Sequence, residues 1–254
     1  MSRPLKRIVI KFGTGILTQP EASTLDRAQI ERFSGEVAEI VRSGIECIIV
    51  SSGAVGAGLM TLGLSERPKD LAGVQACAAV GQCKLMQLYE SAFTAHGLHV
   101  AQLPLTHGDL DSRIRSSNVT NTLDRLLSQK GVVPIINEND SVAVEELRFG
   151  DNDRLSAEVA MLTEADLLIL LTTAEGLLNG SEVVPEVHDI EAALEYAQPT
   201  KGKFGTGGMV SKLQAVKAAL EAGIPAVIAS GRRSRAIAGI LSGETIGTRF
   251  YPAV

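Results

Sequence analysis

The hydrophobic residues of the chain form two patterns that alternate along its length. Short, nearly continuous apolar runs predict buried strands at residues 8–12, 46–50, 100–105, 132–136, 166–173 and 225–229. Between them, apolar residues at spacings of three and four predict helices at residues 24–43, 70–95, 113–130, from 153 onward, 189–197 and from 213 onward. Residues 174–187 have a loop-like composition, and residues 247–251 predict an edge strand. The alternation predicts an α/β fold with a doubly wound, mainly parallel sheet and helices on both faces.

The composition favours a single domain that spans residues 1–254. A chain of 254 residues with 45% hydrophobic and 21% charged residues can bury a full core. Its three cysteines, Cys47, Cys77 and Cys83, are too few and too scattered for a disulfide framework or a zinc site. No apolar run is long enough for a signal peptide or a membrane span. We therefore expect a cytoplasmic protein with no membrane partner.

The charge of the chain argues against nucleic acid as a partner. The formal net charge is −5 at pH 7, whereas a nucleic-acid surface needs concentrated Lys and Arg to neutralise phosphates. The basic run Arg232-Arg233-Ser234-Arg235 is short, and we interpret it as a solvated turn.

Two clusters of short polar and acidic side chains predict a ligand site. The first, Asn137-Glu138-Asn139-Asp140, follows the apolar strand at 132–136, and open α/β sheets bind ligands at the carboxyl ends of their strands. The second, Gly150-Asp151-Asn152-Asp153, precedes a helical pattern, with Asp153 placed as an N-cap residue would be. Residues 141–149 between them predict a partly exposed hairpin. The alternative is that both clusters are turns built from Asx residues, without a ligand.

Lys11 is a charged residue inside an otherwise apolar strand, and Gly13-Thr14-Gly15 follows it. A buried lysine is costly unless it is paired or reaches an anion, so this position predicts anion binding. The alternative is a snorkelling lysine on an edge strand.

Two glycine-rich segments add to the prediction of an anion site. Residues 51–58 follow a strand, and their small side chains let backbone amides approach a ligand, although such turns also serve helix packing. Residues 201–212 combine glycines and hydroxyls with Lys201, Lys203 and Lys212 and lead into a helix, whose N-terminal amides favour phosphate. The alternative for this second segment is a flexible solvent loop. Together with the acidic clusters, these features suit phosphoryl transfer from a nucleotide.

Several of these motifs, in this order, resemble those of the amino acid kinase family. The matching segments are residues 9–14, 51–58, 79–82, 133–140, 150–153 and 205–209, with Lys212. The pairing of Asn-Glu-Asn-Asp with Gly-Asp-Asn-Asp is typical of the members that phosphorylate glutamate. The resemblance implies an amino acid kinase-like αβα sandwich and ATP-dependent phosphorylation of the γ-carboxylate of L-glutamate, the first step of proline synthesis, with Mg²⁺ as cofactor.

The resemblance also implies roles for individual residues. Lys11 and Lys212 would hold the transferring phosphoryl group, and Asp153 would orient them. The residues implied to bind or adjoin glutamate are Ser52, Gly53, Asn137, Asp140 and Asn152. Those implied to line the nucleotide site are Lys11, Thr172, Thr173, Thr206, Gly207, Gly208, Met209, Val210, Ser211 and Lys212. No residue is assigned to the metal ion.

No histidine base is expected for this reaction. A glutamate carboxylate has a pKa of about 4.3 and is already ionised at neutral pH. The four histidines are therefore expected to be structural or surface residues.

Two departures from the family pattern concern the nucleotide. Thr173 stands where relatives commonly have Asp, and residues 179–182 lack the usual Thr-Ala-Asp-Pro loop. Two other hypotheses stay open: an acetylglutamate or uridylate kinase of the same family, and a non-catalytic sensor of an amino acid or nucleotide. The resemblance further implies a homo-oligomer, dimer or tetramer, and feedback inhibition by proline. Many relatives append a small RNA-modification-type (PUA) domain, which we do not expect here.

Overall fold

A computed structural model of the protein describes residues 4–19, 24–143, 151–197 and 208–253. The strands are β1 (Arg7–Phe12), β2 (Glu46–Val50), β3 (His99–Leu105), β4 (Val132–Glu138), β5 (Leu167–Thr172), β6 (Leu178–Asn179), β7 (Glu182–Val183), β8 (Glu186–Val187), β9 (Ala226–Ser230) and β10 (Thr248–Phe250). The helices are α1 (Thr14–Leu17), α2 (Arg27–Arg42), α3 (Ala54–Thr61), α4 (Leu71–Thr94), α5 (His107–Asp111), α6 (Arg113–Leu127), α7 (Asp151–Leu162), α8 (Ile190–Tyr196), α9 (Gly208–Glu221) and α10 (Ala236–Ser242). No helix in this part of the chain is long and apolar enough to cross a bilayer.

Eight of the described strands form one sheet in the order β3-β4-β2-β1-β5-β9-β10-β8, and β6 pairs with β7 in a separate hairpin. Neighbouring strands of the large sheet pair in parallel, except that β10 is antiparallel to β9. The predicted α/β fold is confirmed. Because β1 pairs with β2 on one side and β5 on the other, Lys11 lies near the middle of the sheet. The edge-strand alternative for Lys11 is therefore wrong.

Side chains of β1 alternate between two apolar cores on opposite faces of the sheet. Ile8, Ile10 and Phe12 pack with α1, α2, α4 and α10, whereas Val9 packs with α6, α7, α8 and α9. Helices on both faces explain why the strands have continuous apolar runs rather than alternating ones. Since successive residues of a strand point to opposite faces, Lys11 lies on the Val9 side, towards α7 and α9.

Three local features differ from the sequence prediction. β10 is not an edge strand but lies between β9 and β8, and the segment predicted as a loop supplies β6, β7 and β8. Strands of two or three residues have too few positions for a periodicity to be detected. Helix α7 begins at Asp151, so Asp153 is not its N-cap residue. Most of the predicted hairpin at 141–149 lies outside the described residues.

Helices α3 and α4 approach each other closely at two glycines. A Cβ on Gly58 would overlap the backbone of Cys77, and a Cβ on Gly81 would overlap the backbone oxygen of Ala54. Gly53, just before α3, has φ of 95°, a conformation that favours glycine. The segment 51–58 therefore owes two of its glycines to backbone conformation and helix packing, which fix the start of α3 directly after Ser52 and Gly53.

Candidate active site

Three charged residues from separate elements meet at the carboxyl end of β1. Lys11 lies near the end of β1, Asp153 in the first turn of α7 and Lys212 near the start of α9. Lys11 Nζ is 2.6 Å from Asp153 Oδ1, and Lys212 Nζ is 3.0 Å from Asp153 Oδ2. The three residues are only 5%, 1% and 8% exposed, respectively. The fold therefore brings two buried ammonium groups onto one buried carboxylate.

Burial and charge act against each other in this cluster. Burial lowers the pKa of the Lys11 ammonium, and the nearby Asp153 carboxylate offsets only part of that effect. Burial alone would raise the pKa of the Asp153 carboxyl, but Lys11 and Lys212 outweigh it and hold that pKa below its usual value. Asp153 is therefore ionised at neutral pH. With both lysines protonated, the cluster has a net positive charge, which suits an anionic ligand.

One further hydrogen bond joins α7 and α9 at the cluster, and two more lie within these helices. Ser211 Oγ donates to Asp153 Oδ2 at 2.8 Å, and Lys212 Nζ also donates to the backbone oxygen of Gly208 at 2.9 Å. Ser156 Oγ donates to the backbone oxygen of Asp153 at 2.6 Å. Ser211, predicted as a nucleotide contact, thus also helps to fix the carboxylate. Gly208, Met209 and Val210 form the helical turn that precedes it.

The end of β5 places two more nucleotide candidates beside Lys11. Gly13 N donates to the backbone oxygen of Leu171 at 3.0 Å, which joins the ends of β1 and β5. Thr172 and Thr173 follow directly, one strand away from Lys11. A Cβ on Gly13 would lie only 3.2 Å from the Leu171 oxygen and would contact Lys11 Nζ at 3.6 Å, so a larger residue would be tight against the backbone of β5. Thr206 and Gly207 lie outside the described residues.

The glutamate candidates occupy the neighbouring strand and helix ends. Ser51 N donates to the backbone oxygen of Ile136 at 2.8 Å, which brings Ser52 and Gly53 beside the end of β4. Asn152 Oδ1 accepts from Glu138 N at 3.2 Å and ties the first turn of α7 to the same place. Asn137 is the next-to-last residue of β4, and Asp140 is partly buried in the turn that follows. Each of these residues therefore lies at the carboxyl edge of the sheet.

The Asx-turn alternative applies to one member of the first acidic cluster. Asn139 Oδ1 accepts a local hydrogen bond from Ser141 Oγ at 2.6 Å, and Asn139 N donates to Leu105 O at 2.8 Å. Asn139 therefore shapes the turn itself.

Sequence reasoning missed two partly buried polar contacts beside these residues. Gln82 lies in a segment that matches the family but was assigned no role, and its Oε1 accepts from Asn137 Nδ2 at 2.7 Å. His107 Nδ1 lies 2.7 Å from Glu158 Oε2, and its Nε2 lies 3.7 Å from Glu138 Oε2. The hydrogen bond to Glu158 raises the pKa of His107 despite partial burial. The spacing of Thr106 and Asp109 as a capping box could have located the start of α5, but no local signal identifies the partners of His107.

The basic run at 232–235, predicted as a solvated turn, includes one structural arginine. Arg232 Nη2 donates to the backbone oxygens of Gly15 at 2.7 Å and Thr18 at 3.0 Å. Residues 232–235 lie in an exposed turn, as predicted, and from that turn Arg232 also holds the segment that follows Lys11. The side chains of Arg233 and Arg235 are mainly exposed.

The described residues do not form a site for a bare metal ion. In the described ranges, no three His, Cys, Asp or Glu side chains are grouped as metal ligands. Both oxygens of Asp153 already contact ammonium groups. Mg²⁺ commonly binds through substrate phosphates and water, which would not require a protein site here.

This arrangement can stabilise negative charge at a fixed position. Two ammonium groups converge on the carboxyl edge of the sheet, and a carboxylate in contact with both sets their positions. Preorganised charges of this kind stabilise the transferring group in phosphoryl transfer, in which positioning and electrostatics supply most of the catalysis.

Comparison with known proteins agrees with this interpretation. The profile of the amino acid kinase family matches residues 6–230. A glutamate 5-kinase from Carboxydothermus hydrogenoformans is 48% identical over 256 residues, which cover 98% of this chain and 68% of that protein. The glutamate 5-kinase of Pelobacter propionicus is 44% identical over 258 residues, which cover 98% and 69%.

A solved structure shares the fold at much lower identity. The UMP kinase from Bacillus anthracis matches with a TM-score of 0.66 at 16% identity and covers 99% of this chain and 98% of its own. At this identity the likeness concerns the fold alone.

Proposed function

We propose that this chain, which belongs to the glutamate 5-kinase group of the amino acid kinase family, transfers the γ-phosphoryl group of ATP to the side-chain carboxylate of L-glutamate. The product is L-glutamyl 5-phosphate, and the reaction is the first step of proline biosynthesis. The chain is thus a phosphotransferase with a carboxyl group as acceptor.

The observation that supports this proposal most directly is the contact of Lys11 and Lys212 with Asp153. Glutamate and ATP are both anions, so their mutual repulsion is the main obstacle to reaction. Two buried ammonium groups at one strand end reduce that repulsion, and Asp153 keeps them in place, 2.6 Å and 3.0 Å from its oxygens.

The proposed chemistry needs no proton transfer. An oxygen of the γ-carboxylate forms a bond to the γ-phosphorus of ATP, and the bond from that phosphorus to the β,γ-bridging oxygen breaks. The carboxylate, with a pKa of about 4.3, is already the reactive anion at neutral pH. Lys11 and Lys212 neutralise charge on the transferring phosphoryl oxygens, and no described histidine is required.

The substrates divide between two groups of residues in this proposal. Ser52, Gly53, Asn137, Asp140 and Asn152 bind or adjoin glutamate. Lys11, Thr172, Thr173 and residues 206–212 line the site of ATP. Mg²⁺ would be bound together with the ATP phosphates and would shield their charge, and the described residues hold no group of three His, Cys, Asp or Glu side chains that would bind it separately.

Trapping of the acyl phosphate with hydroxylamine tests this function. The protein is incubated with ATP, Mg²⁺ and hydroxylamine, and with L-glutamate, acetylglutamate, aspartate or UMP as acceptor. Hydroxamate from glutamate alone is the expected result. Hydroxamate from acetylglutamate, or ADP release with UMP, would assign another activity of the family. Binding without turnover would favour a sensor, which the altered residues at 173 and 179–182 motivated.

Three properties of the assembled protein are also part of the proposal. We expect a dimer or tetramer, inhibition by proline near the glutamate site, and a cytoplasmic location. A monomeric mass by light scattering, or activity that millimolar proline leaves unchanged, would contradict the first two. Cell fractionation tests the third.

A further inference from the structure

The side chains of Asn137 and Gln82 form an incompletely satisfied amide pair at the candidate site. Asn137 Nδ2 donates to Gln82 Oε1 at 2.7 Å. Asn137 Oδ1 and Gln82 Nε2 are buried and have no hydrogen-bond partner among the described residues. Buried amide groups are nearly always hydrogen-bonded. Two unsatisfied atoms in one pair therefore indicate a partner from outside the described chain.

This deficit does not depend on how the oxygen and nitrogen of each amide are assigned. Exchanging them in one side chain alone would place two oxygens or two nitrogens in contact. Exchanging them in both restores the hydrogen bond but leaves an oxygen on Gln82 and a nitrogen on Asn137 unsatisfied. In each arrangement that keeps the hydrogen bond, the pair therefore offers one acceptor and one donor.

The amide pair connects the two segments that are proposed to bind glutamate. Gly81, next to Gln82, is in backbone contact with Ala54, which directly follows Ser52 and Gly53. On the other side, Asn137 lies in the strand that leads to Asp140. A ligand that meets both segments would therefore also lie beside the pair.

We propose that Gln82 and Asn137 together bind the α-amino and α-carboxylate groups of the amino acid, which makes Gln82 a further substrate-binding residue for the proposed reaction. The Asn137 oxygen accepts from the α-ammonium group, and the Gln82 nitrogen donates to the α-carboxylate. This inference rests on the proposed function, since it takes free glutamate as the acceptor. An N-acylated amino acid lacks the ammonium group, so the pair selects the free amino acid over acetylglutamate.

Two variants of Gln82 test the inference. Gln82→Glu keeps the shape of the side chain and the oxygen that accepts from Asn137, but it replaces the Nε2 donor by a carboxylate oxygen. Gln82→Met removes both the acceptor and the donor. The measurements are the KM for L-glutamate and the inhibition constants of glutarate, which lacks the α-amino group, and 4-aminobutyrate, which lacks the α-carboxylate. We expect the KM for L-glutamate and the inhibition constant of glutarate to rise about tenfold or more, because both ligands have the α-carboxylate that meets the lost donor. The constant for 4-aminobutyrate and the KM for ATP should change by less than about threefold, because neither ligand meets the lost donor.

Three outcomes and one control make the test decisive. The inference would be overturned if all constants changed equally, or if they stayed unchanged while the melting temperature fell. Either outcome would give Gln82 a structural role only. Unchanged constants at an unchanged melting temperature would mean that a group other than the substrate, such as a buried water, completes the pair, and this outcome would also overturn the inference. Gln87→Glu, on the exposed side of the same helix, is the matched control and should leave every constant unchanged. If Gln82→Glu does not fold, the same constants measured for Gln82→Met provide the test.

A failure of the proposed function can be distinguished from a failure of the inference about Gln82. In that case the wild-type protein would form no acyl phosphate from glutamate. Calorimetric titration of wild type and Gln82→Glu with L-glutamate would still test the amide pair, since it needs no turnover. Weaker binding to the variant supports the inference, and equal binding or none to either protein overturns it.

Discussion

Lys212 Nζ lies 3.0 Å from Asp153 Oδ2, in a contact between the starts of two helices that are far apart in sequence. The other oxygen of Asp153 contacts Lys11 at 2.6 Å. One buried anion therefore sets the spacing of two cations before a substrate is bound. Such preorganisation avoids the cost of rearranging charges during the reaction.

Lys212→Ala should lower kcat by roughly a hundredfold or more, because it removes one donor to the transferring phosphoryl group. The KM for glutamate should change little. Steady-state kinetics with each substrate varied measures both effects. Lys217→Ala is the control, since Lys217 lies on the same helix and pairs at 2.5 Å with the exposed Glu191. A normal kcat with only a raised KM for glutamate would remove Lys212 from the catalytic role.

Asp140→Ala should act on the binding of glutamate. If Asp140 meets the α-ammonium group, truncation of a desolvated charge pair costs about 2–5 kcal/mol, which raises the KM for glutamate roughly thirtyfold to several thousandfold. The KM for ATP should barely move. Asp140→Asn should be milder, because its amide keeps an acceptor without the charge. If Asp140 only shapes a turn, a thermal melt would detect a loss of about 1 kcal/mol in stability while the kinetics stay normal.

His107 should make the stability of the protein depend on pH. Its hydrogen bond to Glu158 raises its pKa in the folded state above the ordinary value of 6.5, with Glu138 adding to the effect and burial and Arg154 opposing it. Because the folded state holds the proton more tightly, this stabilisation is fully present below about pH 6.5 and is lost as pH rises through the folded pKa.

Urea unfolding of wild type and His107→Gln at a series of pH values measures this dependence. The free energy of unfolding of wild type should fall relative to that of the variant as pH rises. His188→Gln, at an exposed histidine, should keep the wild-type dependence. Parallel curves for wild type and His107→Gln would contradict the role of His107.

Gly81→Ala should destabilise the protein by about 1–3 kcal/mol or more, since the new methyl group would overlap the backbone oxygen of Ala54. It should also raise the KM for glutamate, because a displaced α3 moves Ser52 and Gly53. The control is Gly56→Ala on the facing helix α3, where a Cβ would meet nothing within 4 Å. That substitution should be neutral or stabilise by about 0.5–1 kcal/mol. Equal unfolding curves for the two variants would contradict this account of the helix contact.

The sequence by itself determined the long elements and the identity of the charged candidates. The periodicity at 70–95 and its flanking Asp70 correspond to α4, in which the Asp70 side chain accepts from Gly73 N at 2.8 Å. Such signals are local, because helix periodicity and capping depend on residues within a few positions of each other. Lys11 was identified for a similar reason, since a lysine in an apolar strand is conspicuous without knowledge of its partner.

Only the tertiary structure decided which of these residues meet. The contact of Asp153 with two lysines, the hydrogen bond of Gln82 to Asn137 and the attachment of Arg232 to Gly15 all join residues that are distant in sequence. The order of strands in the sheet and the faces covered by the crossover helices create these contacts, and neither follows from local periodicity. For the same reason β10 was predicted as an edge strand, although its pairing with both β9 and β8 places it inside the sheet.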